Sequence, residues 1–80
     1  MNQQTILSDL SEIFNSILDR DDLELTPETH AGDIEEWDSL SHIQLIVAIE
    51  KHYKIKFTSI EIQSWKNVGD MLALISQKVA

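Results

Sequence analysis

The chain has no cysteine, one proline, two glycines and only six basic side chains among its 80 residues. Without cysteine there is no disulfide framework, no thiolate metal site and no thiol nucleophile belonging to the chain itself. Any thiol chemistry therefore has to come from a prosthetic group. Fourteen acidic residues against the six bases give a formal charge of −8, which argues against nucleic acid, whose binders carry basic patches. No apolar run approaches the roughly 18 residues of a membrane span, and Met1-Asn2-Gln3-Gln4 does not open a signal peptide. The expectation is one soluble, cytoplasmic domain over residues 1–80, with no nucleic-acid partner and no membrane insertion. Its acidity suits docking to basic partner surfaces, and equally keeps a small domain in solution.

What the chain does have is helical periodicity. Ile6, Leu10, Ile13, Phe14 and Ile17 share one face, which predicts a first helix over about residues 3–18, ended by Asp19-Arg20-Asp21-Asp22. Residues 19–38 then form a long connection, with Leu23, Leu25 and Ile34 as its anchors to a core. Thr26-Pro27-Glu28-Thr29 reads as a capped single turn, Pro27 standing where its missing N–H costs nothing. The acids at 19, 21 and 22 do not make a calcium loop. Counting from Asp19, the fifth position is Leu23, the sixth is Glu24 instead of glycine, and the twelfth is His30.

A second helix is predicted over residues 39–53, with more apolar residues than one face requires. Leu45, Ile46, Ile49 and Tyr53 form one stripe, and Leu40, Ile43 and Val47 a second beside it. One stripe closes a core; the other is either a surface strip of the kind that marks an interface or is covered by the long connection. Lys54-Ile55-Lys56-Phe57 reads as extended, with Ile55 and Phe57 inward. Thr58 and Glu61 have capping-box spacing, so a short third helix is predicted near residues 58–64. Asn67 and Asp70 start a last helix whose stripe is Val68, Met71, Leu72, Ile75 and Val79. Trp65 reads as core and Trp37 as a hydrophobic staple. The fold class that follows is an all-α, small four-helix bundle: three longer helices, a short third one, and a long loop between the first two.

The residues that carry chemistry are Asp38-Ser39-Leu40, where the polar connection turns into the second helix. Ser39 lies at or next to a helix N-terminus, where free N–H groups and the dipole favour an anion such as a phosphate ester. Leu40 and the apolar strip follow at once. A phosphorylatable hydroxyl beside an apolar strip suggests an attachment point. Ser39 and His42, three apart, raise a serine-hydrolase alternative, but no glycine lies near Ser39 to shape a nucleophile elbow or an oxyanion hole. His42 is read as a solvated neighbour of the serine. His42 and His52 are ten apart, about 280° around a helix, and do not converge on a metal.

From about Thr5 to Val79 the chain resembles the acyl carrier protein family. The resemblance rests on the long first helix, the acidic loop with Leu25-Thr26-Pro27-Glu28-Thr29, Asp38-Ser39-Leu40, the second helix, Lys54-Ile55-Lys56-Phe57, and Asn67-Val68-Gly69-Asp70. It implies that Ser39 is esterified by 4′-phosphopantetheine drawn from coenzyme A. A phosphopantetheinyl transferase would perform that reaction with magnesium, and Asp38 would assist attachment. It further implies a monomeric carrier that is a substrate of acyl-loading and acyl-processing enzymes and not itself an enzyme. Its partner surface would include Leu40, Ile43 and Val47, and Glu35 and Glu36 are expected to join it because they lie close in sequence to Ser39 while the second helix has few acids. The pathway would be that of fatty acids, polyketides or a dedicated product. Two features depart from the family pattern: Glu35-Glu36-Trp37 stands where a small residue is usual, and Gln44 and Lys51 interrupt the acids of the second helix. An aminoacyl or peptidyl carrier, and an unmodified interaction module, stay open as alternatives.

Overall fold

The stripe on the first helix is what α1 (Gln3–Ile17) buries: Ile6, Leu10 and Phe14 are wholly enclosed in the computed structural model, which describes residues 2–79. Asn2 caps this helix, accepting from the Thr5 amide at 2.8 Å. The helix ends with the last residue of that stripe, one residue short of the predicted limit. Leu18 is its C-cap, and Asp19 turns left-handed at φ 56° so that the Arg20 amide reaches back to the Asn15 carbonyl at 2.8 Å.

Three further helices follow, α2 (Ser39–Tyr53), α3 (Ser59–Gln63) and α4 (Val68–Val79), with no strand among the described residues. The expected all-α bundle with a short third helix is what forms. Helix α1 packs against both α2 and α4, around a core completed by Leu45, Ile49, Val68, Met71, Leu72 and Ile75. Thr58 and Glu61 close a reciprocal capping box on α3.

The long connection is fastened by polar side chains that the apolar pattern does not reveal. Asn15 grips Leu23 twice, donating to its carbonyl at 3.1 Å and accepting from its amide at 3.0 Å. The Ser11 hydroxyl accepts from the Leu25 amide at 3.2 Å. Leu25 and Ile34 are buried as expected, and Leu23 is half-buried. A 3₁₀ turn, Ala31–Asp33, lies within the connection, capped by His30; the sequence reading had no element there.

At the far end the connection satisfies α4. The Val68 amide donates to the Thr29 carbonyl at 2.7 Å and the Gly69 amide to the Pro27 carbonyl at 2.8 Å, two of the N–H groups that a helix start leaves free. That closeness explains the glycine: a Cβ at position 69 would stand 2.9 Å from the Pro27 oxygen. Lys54 is not extended, contrary to the sequence reading. It caps α2 in the left-handed region at φ 58°, its amide donating to the Glu50 carbonyl. Ile55 and Phe57 beyond it pack half-buried against the core.

The two stripes of α2 separate as the periodicity requires. Leu45, Ile46 and Ile49 are buried, whereas Leu40, Ile43 and Val47 are 68%, 60% and 42% exposed. The connection therefore does not cover the second stripe. Helix α3 adds Ile60, 80% exposed, an apolar surface residue that the sequence reading did not pick out.

Candidate functional site

The start of α2 is held by two residues, neither of them Ser39. Asp38 is the N-cap, its carboxylate accepting from the Ser41 amide at 2.9 Å. The Ser41 hydroxyl accepts from the Asp38 amide at 2.8 Å and donates to the Glu36 carbonyl at 2.8 Å. Ser41, one of the least exposed polar residues, is thus the structural serine of the pair, and Ser39 takes no part in the box. The bond from the Ser41 amide holds the Asp38 carboxyl below the usual carboxylate range. Ser39 is the first residue of the helix and is exposed, so its hydroxyl meets solvent at the positive end of the α2 dipole.

Trp37 precedes this cap and turns inward, edge-on to Phe14 with ring centres 4.9 Å apart. It stands at the staple position before the N-cap, and its partner four residues into the helix is His42. The rings stack at 5.9 Å, and the indole N–H donates to His42 Nδ1 at 3.0 Å. His42 is therefore half-buried instead of solvated. An indole N–H can only donate, so Nδ1 is the acceptor and the neutral ring carries its proton on Nε2. The basic nitrogen is committed to Trp37 and unavailable to activate Ser39.

Burial pushes the His42 pKa down from its ordinary value of 6.5. A depressed pKa means that the unfolded chain takes up this proton first. The associated stability is fully present above pH 6.5 and is lost as the pH falls from there through the folded-state value. The expected result is a melting temperature that begins to fall below about pH 6.5, with that part of the slope absent in His42→Phe. Identical profiles for the two proteins over this window would remove His42 from the linkage.

Beside Ser39 opens a cleft of about 410 Å³ lined by Trp37, Asp38, His42, Trp65, Asn67 and Met71, among others. Trp65, read from the sequence as core, is half-buried: it packs against the core and forms a wall of this cleft. Its ring meets Phe57 edge-on at 5.0 Å and His42 at 6.2 Å. Its Nε1 is buried without a hydrogen-bond partner among the described residues, an arrangement that costs about 1–3 kcal/mol. The acids before the serine are not equivalent. Glu36 pairs with Arg20 at 3.0 Å, Arg20 also holding Asp22 at 2.9 Å, and Asp33 lies 3.5 Å from His30. Glu35 is exposed and in none of these pairs. No group of three or more His, Asp or Glu able to hold a metal occurs among the described residues.

An exposed, uncommitted serine at the head of a helix, flanked by an apolar strip in an all-helical bundle, is the arrangement of a carrier domain. The chain belongs to the acyl carrier proteins: the family model described as "Phosphopantetheine attachment site" matches residues 8–75. It is 32% identical over 80 residues to the acyl carrier protein of Thermosynechococcus vestitus, covering 100% of this chain and 99% of that one. It is also 32% identical over 76 residues to the meromycolate extension acyl carrier protein of Mycolicibacterium aurum, covering 95% and 78%. Among solved structures, the holo acyl carrier protein of Geobacter metallireducens superposes with a TM-score of 0.87 at 52% identity, covering 91% of this chain and 84% of that one.

The protein is accordingly a carrier of acyl groups, and its prosthetic group is 4′-phosphopantetheine, which supplies the thiol that the sequence lacks. The residues at the start of α2 fit such a group. A free hydroxyl, a helix N-terminus and an adjoining cleft come together there. Proteins of this family are in general non-catalytic and work by interacting with enzymes. No helix among the described residues is long and apolar enough to cross a membrane.

Proposed function

We propose that Ser39 is the attachment residue and that residues 1–80 act as one carrier unit, serving enzymes and performing no catalysis of their own. The observation that carries this reading is the division of labour between the serines. Ser41 is spent on capping α2, and Ser39 is exposed at its first position. In the attachment step Ser39 Oγ loses its proton and forms an ester bond to the phosphorus of coenzyme A's pantetheine phosphate. The pyrophosphate bond of coenzyme A breaks, and the adenosine bisphosphate leaves. Asp38, kept ionised by the bond from the Ser41 amide, contributes a carboxylate beside that hydroxyl for the transferase and its magnesium ion. Once loaded, the flexible arm raises the effective concentration of its cargo at each enzyme on which the domain docks. A thiol-bearing arm works in a reducing compartment, which supports the cytoplasm as the site of action. The test is the intact mass before and after treatment with coenzyme A and a broad-specificity phosphopantetheinyl transferase, with peptide mapping of any gain. No gain in mass, or a gain mapped away from Ser39, would overturn the assignment.

The exposed strip of Leu40, Ile43 and Val47 is the contact for those enzymes, and the acids before the serine steer the encounter. Because Arg20 balances Glu36, Glu35 carries the larger share of the steering. Exposed charges act over about 8 Å at physiological ionic strength and govern association more than dissociation. The rate of arm transfer should fall as salt is raised. Glu35→Gln should start about twofold slower at low salt and respond less, and Glu36→Gln should stay nearer the parent. Equal salt slopes in all three proteins would return these acids to a role in solubility alone.

A further inference from the structure

Leu40, Ile43, Val47, Lys51 and Lys54 follow one another along α2 at spacings of three, four, four and three, within an arc of about 80°. All five are exposed. The outer ridge of the helix thus changes character along its length, apolar over the first half and basic at the end. Lys56, also exposed, follows just beyond the cap. These three lysines are half of the chain's six basic side chains. None of them is in an ion pair among the described residues, whereas Arg20 and Lys78 are. Glu50, the acid among them, is half-buried and accepts from the Phe57 amide at 2.9 Å. The helix dipole favours cations in the last turn, which accounts for Lys51 but not for Lys56 beyond the helix end. Between the lysines opens a notch of about 380 Å³ whose apolar lining is Val47 and Ile55. The last residue of the apolar strip is therefore also a wall of the basic notch.

We propose that the basic end of α2 is a docking site for an acidic segment of a partner protein, which sets an apolar side chain on Val47 and Ile55 and carboxylates against Lys51, Lys54 and Lys56. The inference rests on the strip of Leu40, Ile43 and Val47 as the enzyme contact, and names the chemistry that meets its far end. Lys54 lies about 22 Å along the helix from Ser39, more than two screening lengths at physiological ionic strength. This end therefore senses a different part of the partner from the one that receives Ser39. Charge decides the occupant. A chain of net charge −8 is repelled by an extended anionic surface such as a bilayer, and by a second copy of itself. A short acidic segment reaches the three lysines without facing the acids elsewhere. Glu35 and Asp38 stand at the other end of the ridge. The complementary partner carries bases where Ser39 arrives and acids where Lys54 does, which fixes the direction in which α2 lies on it.

The probe is a capped peptide of leucines set among Asp and Glu, titrated into the ¹⁵N-labelled full chain, with its Asn and Gln counterpart as control. The expected result is a set of amide shifts centred on residues 47–56 that the acidic peptide produces and the neutral one does not. Binding should weaken about fivefold in Lys51→Gln/Lys56→Gln, as the loss of two exposed ion pairs implies, and both substitutions stand on exposed positions. Absence of shifts in this region, equal shifts from the neutral peptide, or undiminished binding by the folded double variant would overturn the acidic partner. Sedimentation of the chain with phosphatidylglycerol vesicles, lost in the same variant, would overturn it in favour of a lipid surface. Broadening of the signals of residues 47–56 as the protein alone is concentrated would do so in favour of a second copy. Uptake of the arm is measured by intact mass on the same samples, which keeps the two readings apart. A chain that loads but ignores the peptide loses only this site; a chain that binds the peptide but never loads loses only the carrier reading.

Discussion

Ser39→Ala is expected to keep its fold and its melting temperature and to take up no phosphopantetheine. Loss of an N-cap costs about 1 kcal/mol, but Ser39 is not the cap. Asp38 and Ser41 hold the helix start between them, and alanine is a good residue for a first helical position. The expected change in stability is therefore within about 0.5 kcal/mol, while uptake of the arm falls to nothing. Ser41→Ala is the informative opposite. It removes the partner of the Asp38 amide and one donor to the Glu36 carbonyl, so it should cost about 1–2 kcal/mol yet still accept the arm wherever it remains folded. Circular dichroism and intact mass on the two variants measure both quantities. Continued labelling of folded Ser39→Ala, or loss of labelling in folded Ser41→Ala alone, would exchange the roles of the two serines.

That division of roles was only half legible in the sequence. Asp38 and Ser41 have the three-residue spacing of a capping pair, a signal that was available but overshadowed by Ser39 next to it. Helix limits were legible because periodicity and caps are local: α2 spans the predicted residues, and α1 differs by one residue, Leu18, which becomes the C-cap ahead of the left-handed Asp19. The exposed strip of Leu40, Ile43 and Val47 was legible as a second stripe, but only the path of the connection decided that nothing covers it. What lay out of reach depends on partners distant in the chain. His42 is half-buried because Trp37 turns inward onto Phe14 and takes its Nδ1 with it. Glu36 is neutralised by Arg20, sixteen residues earlier. The Trp37–His42 pairing itself follows the local spacing of a staple, but no periodicity encodes the contact of Trp37 with Phe14 or of Glu36 with Arg20, and each changes the chemistry assigned to its residue.

The two stripes of α2 set up the other large effect. Ile49→Asp is expected to unfold the domain, and Ile43→Asp to leave it folded. Ile49 is wholly buried between α2 and the rest of the core. Removing an isoleucine side chain there costs about 2–5 kcal/mol, and an unpaired carboxylate in its place adds several more or forces protonation. An 80-residue domain has a total stability of about 4–12 kcal/mol, taking roughly 0.05–0.15 kcal/mol per residue. Ile43, at 60% exposure, loses about 1 kcal/mol of partial burial, and a carboxylate there stays in solvent. The melting temperature of Ile43→Asp should therefore drop by no more than about 4–8 °C, with far-ultraviolet circular dichroism unchanged. Its uptake of the arm and its transfer of cargo to enzymes should nevertheless slow, because a charge now stands where an apolar contact has to form. If Ile43→Asp melted as low as Ile49→Asp, the second stripe would belong to the core. If it folded and served its enzymes at the parent's rate, the strip would be exposed without being a docking surface, and recognition would rest on Glu35 and the residues around Ser39.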